Sequence, residues 1–174
     1  MCDIFMKNLL PGERADSAYT LPYEELREQG VKGVIFDIDN TLVRHGEPAC
    51  FRTVGLFAHL RELGLTPFIL SNNGIDRVRS FAEAVGAPYL HKAGKPGPAG
   101  YRRACEVMGI RPEEAIAVGD QIYTDIWGAG RCGIRSILVA PIDPREEIQI
   151  KFKRILEKPV LRAYERRAGK SAKR

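Results

Sequence analysis

Short apolar runs alternate along this chain with longer stretches whose apolar positions recur at helical spacing. A run that is apolar at every position, such as Val34-Ile35-Phe36, reads as a strand buried on both faces of a parallel sheet. On this pattern, strands are predicted at 31–37, 67–70, 89–90, 115–118 and 136–140. Helices are predicted at 21–29, 51–63, 76–85, 98–108 and 124–129, the second carrying a stripe of Val54, Phe57, Ala58 and Leu60. Gly30, Gly64 and Gly86 stand where three of these helices stop. Strands alternating with helices of this length predict an α/β fold of right-handed βαβ units around a parallel sheet.

The strand ends are where the pattern turns polar. The first run ends on Asp37 and Asp39, the second on Ser71, Asn72 and Asn73, and the fourth on Gly119 and Asp120, with Asp125 shortly after. The loop after the third strand contributes Lys95 before Pro96. Carboxylates are costly to bury without a partner. In open parallel sheets the ligand crevice lies at the carboxyl ends of the strands. Taken singly, these residues read as turns, helix caps and surface charges. Four polar elements each following a strand describe one convergent site.

Composition changes this picture in one respect. Residues 144–174 hold 11 Lys or Arg and 4 Asp or Glu, a net +7, and the remainder is −2, against +5 for the whole chain. The basic character therefore belongs to the C-terminal segment, where Ile148, Phe152, Ile155 and Leu156 share one helical face until Pro159 interrupts it. Val160, Leu161 and Tyr164 continue the apolar side. Such a segment either packs on the flank of the domain or lies at a membrane surface. The chain thus divides into an N-terminal segment (1–30), a core domain (31–143) and a basic amphipathic helical tail (144–174). Cysteines at 2, 50, 105 and 132 make no paired metal-ligand spacing and suit reduced thiols in the cytoplasm. No apolar stretch is long enough to span a membrane, and no secretory signal is visible. Charge without interleaved aromatics gives no reason to expect nucleic acid.

The convergent residues suit phosphoryl transfer. Asp37 is the candidate nucleophile, since a carboxylate attacking phosphorus divides one hard displacement into two. Asp39 could protonate the leaving oxygen and later deprotonate water, with its pKa raised by the neighbouring carboxylate. Asp37 and Asp120 would hold a hard divalent cation, Mg²⁺ by its oxygen preference. Ser71 and Asn72 offer donors to the phosphoryl oxygens, and Lys95 a positive charge. Asp125 could orient a metal-bound water or Lys95, and Thr41 and Asn73 stand beside these groups as supporting residues.

In DIDNT (37–41), SNN (71–73), KP (95–96) and GDQIYTD (119–125) the chain resembles the haloacid dehalogenase superfamily of aspartate-nucleophile phosphatases. The wider stretches VKGVIFDIDNTLV, ILSNN, KAGKP and VGDQIYTDIWGA resemble its YqeG-type subgroup, class IIIA. The resemblance implies a three-layer Rossmann-like sheet of strand order 3-2-1-4-5, a magnesium cofactor and the roles above, with the Asp39 backbone carbonyl as a further metal ligand. Relatives of this group include phosphatases of phosphatidylglycerophosphate. Members of the superfamily often carry a cap domain, but the gaps of 34 residues from Asp37 to Ser71 and 24 from Ser71 to Lys95 leave no room for one.

An uncapped site suits a phosphate on a large or surface-bound partner. With the basic tail and an apolar N-terminus (Ile4, Phe5, Met6, Leu9, Leu10), it points to a lipid-linked phosphate and peripheral contact at the inner membrane face. A soluble sugar phosphate or nucleotide is the alternative, with an oligomer closing the site. A phospho-accepting receiver switch also uses an aspartate at a strand end with magnesium, but it needs no acid at the position of Asp39.

Overall fold

Val34 and Phe36 point to one side of their strand and Ile35 to the other, and all three are buried. A strand with two apolar faces must be covered on both, and the fold does this with helices. The computed structural model of the chain describes residues 8–143, 159–162 and 164–165. The central strand is β2 (Gly33–Phe36), following β1 (Glu13–Ala15) and α1 (Tyr23–Glu28). Then come α2 (Phe51–Glu62), β3 (Thr66–Leu70), α3 (Ile75–Val85), β4 (Tyr89–Leu90), α4 (Pro98–Met108), β5 (Ala115–Gly119), a wide turn at Ile122–Ile126, α5 (Trp127–Gly130) and β6 (Arg135–Val139).

The sheet runs β1-β6-β5-β2-β3-β4 with every pair parallel. Counted from β2, this is the expected order 3-2-1-4-5. A sixth strand, β1, extends it at the β6 edge. Nothing in Glu13-Arg14-Ala15 signals a strand, because the segment has no apolar alternation. It is placed by pairing: Glu13, Arg14 and Ala15 register against Ile137, Leu138 and Val139, and the flanking Gly12 amide donates to the Ser136 carbonyl at 2.9 Å.

One face of the sheet packs Val34, Phe36, Ile69, Ile116 and Val118 against Leu56, Phe57 and Leu60 of α2 and Val78, Phe81 and Val85 of α3. The other packs Ile35, Phe68, Leu70 and Ala117 against Tyr101, Ala104 and Cys105 of α4 and Ala129 of α5. Burying each large side chain is worth ~1.5–3 kcal/mol, so the two faces supply most of the driving force. Between Asp37 and Ser71 the chain holds only a turn, the loop 44–50, α2 and β3, and between Ser71 and Lys95 only α3 and β4, so no cap covers the carboxyl edge.

A third cluster joins the two ends of the chain. Leu9 and Val160 are buried together with Ile122, Ile126 and Leu138, and Leu10 and Leu161 pack beside them. The described part of the tail, 159–162 and 164–165, therefore lies against the core, and Leu9 is not free to serve as an apolar contact for a membrane. The expected amphipathic face at Ile148, Phe152, Ile155 and Leu156, and the N-terminal Ile4, Phe5 and Met6, lie outside the described residues. No helix among the described residues is long and apolar enough to cross a membrane.

At the amino-terminal ends of the central strands, Glu114 ties β2 to β5. Its carboxylate accepts from Lys32 Nζ at 2.8 Å, the Arg111 amide at 2.9 Å and Arg111 Nη2 at 3.3 Å. Lys32 first, then the Arg111 backbone and guanidinium, hold the Glu114 carboxyl down at about 2. A depressed carboxylate stabilises the fold above its ordinary pKa, and that contribution is lost as pH falls through the folded value. We expect Glu114→Gln to lower the melting temperature at pH 6, with the gap to the wild type closing between about pH 4.5 and pH 2 in thermal scans.

Candidate active site

The site starts where β2 stops. The Asp37 amide still pairs with the Val118 carbonyl at 3.1 Å, so the strand delivers Asp37 to the sheet edge in register. The chain then folds into a tight turn in which the Leu42 amide donates to Ile38 at 2.9 Å and the Asn40 amide to Val43 at 2.7 Å. Asn40 sits in the left-handed region at φ 61°, a conformation asparagine tolerates better than most residues. Ile38, Leu42 and Val43 sink into the core and fix this turn.

Lys95 meets Asp37 here. Its ammonium lies 2.7 Å from Asp37 Oδ1 and 2.7 Å from Asp125 Oδ1, with side-chain exposures of 4 % for Lys95 and 3 % for Asp125. Asn72 positions the lysine from behind: its side-chain oxygen accepts from the Lys95 amide at 2.8 Å and its Nδ2 donates to the Lys95 carbonyl at 3.1 Å. Asn72, expected to serve the phosphoryl oxygens, lines the cleft, and its side chain clamps the lysine loop. Ser71 is buried at the end of β3, and its Oγ accepts from the Asn73 amide at 3.2 Å.

Asp125 reaches the site through a turn that sequence periodicity does not register. The predicted helix at 124–129 is replaced by a wide turn, in which the Gln121 carbonyl accepts from both the Asp125 amide at 2.9 Å and the Ile126 amide at 3.3 Å, and then by the short α5. The extra residue in the turn carries Asp125 back over the end of β5. There Asp125 Oδ2 accepts from the Gln121 amide at 3.1 Å, and its backbone carbonyl accepts from Tyr101 Oη at 3.1 Å. Gly119 makes room for this return, since a Cβ there would clash with the Asp125 side chain. Such one-turn widenings of helices recur at functional sites.

Asp120 is fully buried and accepts from Thr41 Oγ1 at 3.2 Å. One carboxylate oxygen each from Asp37, Asp120 and Asp125 lie within 4.8 Å of one another. Loops far apart in the chain thus bring these three acids and one ammonium together. All three are hard oxygen donors of the kind a magnesium-type ion takes. Lys95 supplies one positive charge against three carboxylates, and a divalent cation would supply the other two. The donor set therefore fits such an ion, with Asp125 in a more direct position than the sequence suggested.

The two aspartates of the first motif have different surroundings. Burial pushes the Asp37 carboxyl up to about 6; Lys95 opposes the shift and Asp125 adds to it. Lys95 is itself raised, its burial outweighed by Asp125 and Asp37. For Asp39, burial would raise the pKa, but Arg77, the Gly46 amide and Asn73 together outweigh it and leave the carboxyl below the usual range. This corrects the expectation of a raised pKa at Asp39, because its close partners are donors and not the Asp37 carboxylate. Arg77 Nη2 and the Gly46 amide both donate to Asp39 Oδ1 at 3.0 Å, and Asn73 Nδ2 donates to Oδ2. His45 Nδ1 stands 3.7 Å from Oδ2.

A cleft of about 180 Å³ opens over these groups, lined by Asp37, Asp39, Ser71, Asn72, Asn73 and Lys95 of the expected set. Asn40, His45, Gln121 and Thr124 complete its wall. Thr41, Asp120 and Asp125 sit beneath, buried. The volume accommodates a phosphoryl group and an ion.

The family of haloacid dehalogenase-like hydrolases matches residues 52–133. The probable phosphatase YqeG of Bacillus subtilis is 36 % identical over 162 residues, which span 92 % of this chain and 94 % of that protein. The chain belongs to the haloacid dehalogenase-like hydrolases. Phosphatidylglycerophosphate phosphatase 1 of Arabidopsis thaliana, a chloroplastic and mitochondrial protein, is 28 % identical over 93 % of this chain and half of its own length. Among solved structures, a haloacid dehalogenase phosphatase from Thermococcus onnurineus shares the fold with a TM-score of 0.55 at 15 % identity, covering 68 % of this chain and 90 % of that one.

The sequence reading gave no role to three residues of this hydrolase. Gly119 and Tyr101 shape the seat of Asp125, and Arg77 holds Asp39. Only Gly119 carried a signal, as a glycine directly before Asp120 at a strand end. Tyr101 and Arg77 lie on helices where their roles depend on which loop packs above them. The buried ammonium is the point at which the site is most sensitive. Removing one partner of a buried ion pair leaves uncompensated charge and costs about 3–5 kcal/mol. We expect Lys95→Met to lose stability of that order in urea titrations at pH 7 and to lose activity with it.

Proposed function

We propose that this haloacid dehalogenase-type phosphatase hydrolyses phosphomonoesters by covalent transfer of the phosphoryl group to Asp37, with Mg²⁺ as cofactor. The observation that carries the reading is the buried Lys95 ammonium, 2.7 Å from the Asp37 carboxylate and set beside the Asp37, Asp120 and Asp125 oxygens. Lys95 holds one oxygen of Asp37, which leaves the other to attack phosphorus along the cleft. Asp39 passes a proton to the departing alkoxide, so the ester P–O bond breaks as the aspartyl–phosphate bond forms. Asp39, now ionised, takes a proton from water, and the resulting hydroxide attacks the phosphorus and frees Asp37. The proton gained in that step is the one the next leaving group receives. The donors that hold Asp39 ionised in this structure suit the second half-reaction.

Asp37, Asp120 and Asp125 would hold Mg²⁺, with the Asp39 backbone carbonyl as the further ligand the family resemblance implies. The ion would supply positive charge to the non-bridging phosphoryl oxygens. Ser71 lies at the same wall as a donor to those oxygens, and Lys95 neutralises charge on both sides of the transfer.

We place the substrate phosphate on a lipid, with phosphatidylglycerophosphate at a membrane surface as the leading candidate. The uncapped cleft, the basic segment 144–174 and the similarity to the Arabidopsis phosphatase support this reading. Leu9 and Val160 are spent on the core and would take no part in contact with the membrane.

In a phosphate-release assay, we expect turnover with Mg²⁺ and none with excess EDTA. We expect Asp37→Asn to abolish it and Asp39→Asn to slow it by ~10²–10⁴. Normal turnover by Asp39→Asn would refute the proton-transfer role, and a stable phosphorylated protein without phosphate release would indicate a receiver-like switch. For the substrate, we expect phosphatidylglycerophosphate in mixed micelles to give a higher kcat/KM than sugar phosphates or nucleotides. The reverse order would assign the protein to a soluble phosphomonoester.

A further inference from the structure

Arg77 sits in the first turn of α3, outside every motif that carries the family resemblance. Its guanidinium lies over the Phe81 ring at 5.5 Å, one helical turn along, and Nη2 donates to Asp39 Oδ1 at 3.0 Å. The pair is sheltered, with side-chain exposures of 23 % for Arg77 and 14 % for Asp39, so it is not an ordinary surface ion pair. Arg77 Nε is buried and has no hydrogen-bond partner. An orphaned donor is a cost. The guanidinium accepts it in an orientation that, laid on Phe81, aims Nη2 at Asp39.

The remaining contacts of Asp39 define what this orientation does. The Gly46 amide approaches the same oxygen from the loop 44–50, and Asn73 holds the other. Asn73 and Arg77 come from the segment after β3 and Gly46 from the segment after β2, so the carboxylate is gripped between two independent loops. Arg77 is the cationic member of that grip and the one anchored in a helix.

We propose that Arg77 is a positioning residue for phosphoryl transfer, fixing the Asp39 carboxylate on the leaving-group side of the cleft. It acts through Asp39 and does not touch the phosphoryl group. The proposal rests on the reading of Asp39 as the proton-transfer group given above. A proton donor must reach the ester oxygen within hydrogen-bond distance, and a misplacement of about 1 Å can cost ~10²-fold. Without Arg77 the carboxylate retains its Asn73 and Gly46 donors but loses the contact that sets its position from α3.

The test compares esters that need a proton on departure with esters that do not. kcat and KM are measured with glycerol 3-phosphate, phenyl phosphate and p-nitrophenyl phosphate for the wild type, Arg77→Met, Arg77→Lys, Asp39→Asn and the Asp39→Asn/Arg77→Met double variant. We expect Arg77→Met to lower kcat/KM, which reports the step that expels the leaving group, by ~10–10²-fold on the poor leaving groups and much less on p-nitrophenyl phosphate. Arg77→Lys should recover part of the loss. The double variant should be no slower than Asp39→Asn alone, since the two residues act as one unit. Should Arg77→Met fold poorly in a thermal scan, the leaving-group dependence of Arg77→Lys carries the test.

An equal loss of kcat/KM on all three esters, or additive losses of kcat/KM in the double variant, would overturn the proposal while leaving the Asp39 assignment intact. A rise in KM of the same size for all three esters, with kcat unchanged, would place Arg77 on the substrate and overturn it equally. If kcat/KM of Asp39→Asn itself shows no dependence on the leaving group, the role of Asp39 as proton donor fails and this inference falls with it.

Discussion

One ammonium group organises the site. Lys95 lies between Asp37 and Asp125 at 2.7 Å from each, almost without access to water. Three carboxylates gathered within 4.8 Å would otherwise repel one another in a medium that screens poorly. The lysine permits the gathering and at the same time fixes where Asp37 and Asp125 point. Much of the surrounding structure serves it. Asn72 clamps its backbone, Gly119 leaves space for Asp125 to return over the strand end, and Tyr101 pins the Asp125 carbonyl from α4.

The parallel sheet makes this possible because it aligns the carboxyl ends of β2, β3 and β5 along one edge. Helices on both faces hold the strands rigidly, and the loops above them inherit that rigidity. The third apolar cluster extends the support to the loop that carries Asp120 and Asp125. Leu9 from the N-terminal segment and Val160 from the C-terminal one close on Ile122 and Ile126, two residues of the wide turn itself. Segments remote in the chain thus brace the turn on which Asp125 depends.

Asp37 and Asp39 illustrate how environment separates identical side chains. Asp37 is buried among acids and is pushed up to about 6 despite Lys95, whereas donors from three directions hold Asp39 below the usual range. The difference arises from the turn after β2, which gives the two carboxylates separate sets of partners although a single residue lies between them.

Much of this was legible in the residues. The unbroken apolar runs marked five of the six strands, because strands buried on both faces have no polar positions to lose. The acids, Ser71 and Lys95 could be placed at one edge because each follows such a run. β1 could not be seen, since its place depends on hydrogen bonds to β6 and not on its own side chains. The turn at Ile122–Ile126 was also hidden, because one added residue leaves no periodic trace. The sequence by itself determined which chemical groups reach the sheet edge and that no cap stands over them. Only the tertiary structure decided that Asn72 serves the lysine, that Asp125 joins Asp37 and Asp120, and that Arg77 grips Asp39, because each depends on distances between loops that no local pattern encodes.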